Sequence, residues 1–299
     1  MSAAGEHLSI LWRGPLSSCN YDCPYCPFGK NPLDRAEIAR DAAAMARFLT
    51  WVDGQERPLS VFFTPWGEGL VHAHYRDALA RLSRMPHVRR AAIQTNLSAN
   101  LGFLEHAEAG KIGLWSTYHP GEVSLARFVA QVERARALRA RVSAGVVATL
   151  EHLDDITRLR AAISEDVYVW VNAVSGVAYT TAQVAQIEAV DPLFRVNLSR
   201  PYPSLGRACR AGETVIAVDG EGNARRCHFL PEPIGNLYAP GFEAALKPRA
   251  CTKVECRCHI GYVHMPELGL YDAFAGGVLE RIPRDWGSSE KCATPSSGA

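Results

Sequence analysis

Short β-rich apolar runs recur along the first two thirds of the chain, separated by amphipathic stretches of helical period. The runs are Leu8 to Trp12, Leu59 to Thr64, Arg90 to Thr95, Ile112 to Thr117, Val142 to Ala148 and Val167 to Asn172. From the second onward they start 22 to 31 residues apart, room for one strand and one helix. The intervening stretches are Asp34 to Val52, His72 to Met85, Glu122 to Arg139 and Asp154 to Ile163. In the third of these, Val123, Leu125, Phe128, Val129, Val132, Ala135 and Leu138 fall on one helical face. Alternation of this kind builds βαβ units, whose parallel strands are covered by helices. About six units make either a partial (β/α)6 barrel or an open doubly wound sheet. In both, chemistry belongs at the C-terminal ends of the strands.

The texture changes after Leu198. Arg200 to Leu205 reads as a Pro-rich linker, and Val215 to Cys227 as a β-hairpin turning at Asp219 to Gly222. From there to Tyr271 the chain is poor in helix signals and rich in Cys, Pro and Gly, which suggests a small unit held by a metal. The division expected is 1–199, 200–286 and a disordered tail, 287–299. With 32 basic and 31 acidic residues the net charge is +1, so there is no electrostatic argument for nucleic acid or an anionic membrane as partner. Met1 to His7 lacks the features of a secretory signal, and no apolar run is long enough to span a bilayer. The sequence reads as a cytoplasmic protein.

Nine cysteines are many for such a chain, and they are clustered. Cys19, Cys23 and Cys26 follow the first strand; Cys209, Cys227, Cys251, Cys256 and Cys258 come almost two hundred residues later, and Cys292 stands alone. Three thiolates within eight residues can each bind one iron of a [4Fe–4S] cubane, leaving the fourth iron without a protein ligand. A structural zinc wants four ligands, and no fourth lies nearby in sequence. The spacing is also not the C-x2-C-x2-C-x3-C of bacterial ferredoxins.

The segment Cys19-x3-Cys23-Pro-Tyr25-Cys26 after the first strand resembles the radical S-adenosylmethionine (SAM) superfamily. The resemblance implies a partial (β/α)6 TIM-like barrel with a SAM-binding [4Fe–4S] cluster on Cys19, Cys23 and Cys26. Its open iron would chelate SAM, and an electron from a carrier such as flavodoxin or ferredoxin would split SAM into methionine and a 5′-deoxyadenosyl radical. The resemblance puts Tyr25 against the adenine. Thr64 to Glu68 is similar to the family's Gly-Gly-Glu segment, with Trp66 in place of the first Gly, so Gly67 and Glu68 are expected at the SAM ammonium. Asn96 at the end of the third strand, Ser116 near the end of the fourth and Leu150 after the fifth match looser SAM-contacting positions. His119, just beyond the fourth strand, is the candidate catalytic, substrate-handling residue.

Cys209-x12-Gly222-x4-Cys227, followed by Cys251-x4-Cys256-x-Cys258, is similar to the auxiliary-cluster domains called SPASM and twitch. Five cysteines suit one auxiliary [4Fe–4S] cluster with one cysteine spare, and the sequence does not say which. A four-cysteine zinc is the alternative. His259 and His264 read as structural, and Cys292 as a tail residue or a hydrogen-atom donor. The function implied is a radical SAM enzyme that oxidatively modifies a peptide or small metabolite. The alternatives are a redox-neutral epimerase and a non-catalytic iron–sulfur protein.

Overall fold

The computed structural model describes residues 7–286; the 287–299 tail and Cys292 lie outside the described residues. Six parallel strands, β1 (Leu8–Arg13), β2 (Leu59–Phe63), β3 (Val88–Thr95), β4 (Ile112–Ser116), β5 (Arg141–Ala148) and β6 (Val169–Ala173), lie side by side in sequence order. Each matches an expected run to within two residues at either end. Helices α1 (Arg35–Asp53), α2 (Ala73–Arg84), α3 (Leu125–Ala137) and α4 (Leu153–Ala162) fall where the amphipathic stretches predict them. The link from β3 to β4 carries only short 3-10 turns, and β6 is followed by α5 (Thr181–Glu188) and α6 (Phe194–Leu198). Asp34 caps α1 through a reciprocal capping box with Glu37. The architecture is the partial barrel expected, open at the β6 edge.

The C-terminal third brings β7 (Tyr202–Pro203), β8 (Val215–Asp219), β9 (Asn223–Arg225), β10 (Pro233–Asn236), β11 (Glu255–Cys256), α7 (His259–Tyr262) and α8 (Leu270–Phe274). β8 and β9 form the expected hairpin, with Gly222 at φ 83° in its turn, a conformation that favours glycine. The hairpin does not stand apart. β8 lies parallel to β1, with Leu11 opposite Ala217, so one nine-stranded sheet runs β10-β9-β8-β1-β2-β3-β4-β5-β6.

Strand alternation sorts the side chains into two cores. Ile10, Trp12, Val61, Phe63, Ile93 and Leu114 face the helices. Leu11, Phe62, Ala92, Trp115, Trp170 and Ala217 face the concave side, where Ile260, Tyr262, Met265, Leu270, Phe274 and Leu279 cover them. The C-terminal segment therefore has no separate core: it fills the barrel. His259 and His264 are buried in this filling, as structural residues would be. His264 Nδ1 lies 2.9 Å from the Tyr271 hydroxyl, and burial lowers its pKa to about 3.

At the closed end of the barrel, Glu280 is fully buried. Its carboxylate lies 3.4 Å from the Arg90 guanidinium and also accepts from Arg141, while its backbone carbonyl accepts from the Ser143 hydroxyl at 2.6 Å. This fastens the C-terminal segment to β3 and β5. Replacing Glu280 by Gln leaves two guanidiniums short of their counter-charge. The expected cost is about 2–3 kcal/mol, read as a lower urea midpoint with an unchanged m-value.

Candidate functional site

Cys19, Cys23 and Cys26 lie in the loop between β1 and α1, at the C-terminal ends of the strands. They line one open recess of about 180 Å³ with Gly67, Glu68, Asn96, Thr117 and His119. The loop is placed by what lies beneath it. Asp41, fully buried on α1, accepts from the Leu16 amide at 3.3 Å and lies 2.7 Å from His74 Nε2. The loop after β2 then runs against it, with Trp66 N–H donating to Leu16 O at 3.2 Å and Glu68 N–H to Ser18 O at 3.0 Å. A Cβ on residue 67 would lie 1.7 Å from Ser18 O, so only glycine permits this approach.

Glu68 is 2% exposed. It was expected to face the cavity as a ligand-binding carboxylate, and it does line the recess, but its oxygens also hold the protein together. Oε1 accepts from Leu70 N–H at 2.9 Å and from the Thr95 hydroxyl at 2.8 Å, and Oε2 accepts from Asn96 N–H. Burial raises its pKa to about 7 against the opposing pull of these hydrogen bonds. Asn96 extends the network: its Nδ2 donates to Asn20 Oδ1 at 3.0 Å and approaches Cys19 Sγ at 3.8 Å.

His119 turns toward the cysteine loop. Its Nδ1 lies 2.8 Å from the Tyr25 hydroxyl and 3.2 Å from Cys23 Sγ, and the Tyr25 and His119 rings stack at 6.0 Å. Burial, with His152 nearby, lowers its pKa to about 4, so it is neutral at physiological pH. Burial likewise raises Cys23 to about 11.

Three expected positions do not line the recess: Ser116, Leu150 and Tyr25, the last of which meets it only through its contact with His119. Ser116 is fully buried on the helix-facing side of β4, donating to Ser143 O at 2.6 Å, while Thr117, one residue on, reaches the recess. The alternation Gly113, Trp115, Thr117 on the concave side was legible in the sequence and selects Thr117. Leu150 lies in a 3-10 turn, 55% exposed, and does not line the recess. Sequence reasoning also missed Gln94, which lines the recess, and Lys30, whose ammonium donates to Cys23 O at 3.0 Å.

The C-terminal cysteines meet through three backbone pairings. Cys251 N–H donates to Arg207 O at 2.9 Å, Gly206 N–H donates to Cys251 O at 2.8 Å, and β7 pairs with β11 at Tyr202 and Cys256. The buried Arg226 guanidinium adds a clamp, donating to the carbonyls of Ala211, Arg249 and Ala250. Cys209, Cys227, Cys251 and Cys256 line one cavity as a result. Cys258 does not. It occupies the position before α7, where burial raises its pKa and the charges of Arg13, Arg200 and Arg281 oppose the rise. Burial raises Cys209, Cys227 and Cys256, the last to about 12. All eight cysteines from Cys19 to Cys258 are free thiols, and among the described residues no three His, Cys, Asp or Glu side chains are grouped to hold a single metal ion. None of the described helices is long and apolar enough to cross a membrane.

Barrel and recess together define a class: a partial β/α barrel with its chemistry-bearing loops at the C-terminal strand ends. Polyhistidine-tagged anSMEcpe with bound AdoMet has this fold, with a TM-score of 0.50 at 14% identity over 80% of each chain. Native anSMEcpe with bound AdoMet and Kp18Cys peptide matches with the same values. BtrN in complex with AdoMet and 2-DOIA is more distant, with a TM-score of 0.40 at 16% identity over 80% of this chain and 86% of that one. At such identities the likeness establishes the fold. No family model matches the sequence, and a search of curated proteins finds no match.

Glu68 sets a pH test. Its folded pKa of about 7 exceeds the ordinary carboxyl value, so the native state holds an extra proton between about pH 4.5 and 7. This group's contribution to stability is therefore fully present below that range and lost as pH rises through it. Glu68→Gln should remove that slope: between pH 5 and pH 8 the wild type loses more urea resistance than the variant.

Proposed function

We propose that the chain is a radical SAM enzyme in which Cys19, Cys23 and Cys26 hold a [4Fe–4S] cluster. The observation that carries this reading is three free thiols, at that spacing, lining one recess with Gly67, Glu68 and Asn96 at the strand ends of a partial barrel. Bound AdoMet in anSMEcpe, on the same fold, supports it. The donor set fits the cluster. Tyr21 N–H donates to Cys19 Sγ at 3.4 Å, and Asn96 Nδ2 and His119 Nδ1 stand beside Cys19 and Cys23, groups that suit thiolate sulfur. The raised thiol pKa of Cys23 means that metal binding must displace protons.

The C-terminal cavity fits an auxiliary [4Fe–4S] cluster on Cys209, Cys227, Cys251 and Cys256, which makes Cys258 the spare cysteine. When bound, the first cluster and SAM supply a 5′-deoxyadenosyl radical that takes hydrogen from substrate, and the second cluster supplies an electron acceptor. The chain's own residues bind and orient. Glu68 offers a carboxylate to the SAM ammonium, Asn96 links it to the Cys19 loop, and His119, backed by the Tyr25 ring, walls the recess. His119, held between Tyr25 and Cys23, is a positioning residue in this reading. The reaction that fits is oxidative modification of a peptide or small metabolite, with electrons from a carrier such as flavodoxin or ferredoxin.

Iron analysis and SAM turnover on anaerobically reconstituted protein check both sites. About eight irons per chain are expected, one cubane per cysteine group. Replacing Cys19, Cys23 and Cys26 by Ala should leave about four and abolish 5′-deoxyadenosine formation; a triple variant that still forms it would refute the assignment. Cys258→Ala should keep all the iron, whereas Cys256→Ala should lose the auxiliary share. Zinc at the C-terminal site would remove the electron acceptor, because Zn²⁺ has no redox chemistry.

A further inference from the structure

A second recess lies between the two cysteine groups. It is an open recess of about 660 Å³ lined by Arg13, Trp66, Asp219, Arg225, His228 and Phe229, among others. Trp66 is shared with the Cys19–Cys26 recess, and Phe229 with the cavity of Cys209, Cys227, Cys251 and Cys256. A molecule seated here touches the walls of both.

The polar groups of this recess cancel, with one exception. Asp219 pairs with Arg225 at 3.0 Å and also accepts from the Glu221 and Asn223 amides within its own turn. His228 Nε2 lies 3.0 Å from the Thr64 hydroxyl, and burial lowers its pKa well below the usual value, so it is neutral. Arg13 remains. Its Nε donates to Thr64 O at 2.7 Å and its guanidinium lies 5.4 Å from the Trp66 ring, but among the described residues no carboxylate pairs with it. Asp219 is its register neighbour on β8, yet its carboxylate is committed to Arg225. Burial lowers the Arg13 pKa to about 10, with the Cys258 thiol opposing the shift. Beside it the recess is apolar: Trp66 is 48% exposed and stacks on Phe28 at 6.2 Å, and Phe229, Leu230, Pro231 and Pro15 complete the wall.

We propose that this recess binds the substrate and that the substrate carries a carboxylate, held by the Arg13 guanidinium, on an aromatic or apolar body that lies against Trp66 and Phe229. With Nε–H given to Thr64 O, the guanidinium still presents its Nη1/Nη2 edge, which matches a carboxylate in bidentate fashion, and a partly desolvated guanidinium binds one more strongly than an exposed one. The carboxylate belongs either to a small organic acid or to a peptide C-terminus. The proposal rests on the radical SAM reading for its catalytic meaning, but the binding stands on its own.

Titration calorimetry on the anaerobically reconstituted, SAM-loaded protein tests it with 3-phenylpropionate against 3-phenylpropanamide, and with the tripeptide Gly-Gly-Phe against its C-terminal amide. Each acid should bind about tenfold tighter than its amide or better. The tighter of the two acids identifies the source of the carboxylate. Arg13→Gln should reduce the preference for acid to below about twofold, while Trp66→Ala should weaken acid and amide together. Equal binding of acid and amide by the wild type, or binding of neither, overturns the proposal whatever the variants do. A preference that survives Arg13→Gln overturns it as well. Assaying 5′-deoxyadenosine in the same preparation separates the two readings. Protein that cleaves SAM but ignores the carboxylate sinks this inference alone, and protein that selects the carboxylate but leaves SAM intact sinks the enzymatic reading alone.

Discussion

The buried carboxylate of Glu68 ties together the parts on which the site depends. It comes from the loop after β2 and takes three donors: one from its own loop, at Leu70, and two from the end of β3, at Thr95 and Asn96. Its backbone amide donates to Ser18 O, one residue before Cys19. A charge removed from water is tolerated only when its lone pairs are used, and here the use fixes two strand ends and the cysteine loop in one geometry. The raised pKa shows that these donors do not fully offset the loss of water. A cation beside Glu68 would restore its full ionisation, which is what an ammonium-bearing ligand provides.

The C-terminal third serves the barrel in a way that its loop-rich sequence conceals. A six-stranded partial barrel leaves a concave apolar face that must be covered. Ile260, Tyr262, Met265, Phe274 and Leu279 cover it, and Glu280 anchors them at the closed end. The same segment carries Cys256 and Cys258, and its pairing with Tyr202 sets where they point. The segment that fills the barrel thus also carries part of the second cysteine group, and β8 joins it to the first strand.

Charge inside the barrel is distributed unevenly. Arg281 is almost fully buried over Trp115 and Trp170, and Arg200 donates to Asn197 and to the Ala173 carbonyl. With Arg13 these guanidiniums surround Cys258. Cations on aromatic faces and carbonyls lose less on burial than isolated ones.

How much of this the sequence determined follows from the range of each interaction. The strands, the main helices and the hairpin turn were legible because apolar periodicity and turn chemistry are local, and the Cys19–Cys26 loop because its three cysteines lie within eight residues. The partial barrel followed from the resemblance those cysteines carry. Ser116 and Leu150 were placed by motif likeness, although the alternation of β4 already put Thr117, not Ser116, on the concave side. What the sequence left open was which C-terminal cysteines share one cavity, the docking of β8 on β1 and the placement of Arg13. Each of these depends on contacts between segments far apart in the chain: Cys256 on β7, Leu11 on Ala217, Arg13 on Thr64 O. Pairings of that length have no signature in local composition, because they are chosen by which faces remain to be buried once the barrel has closed around its core.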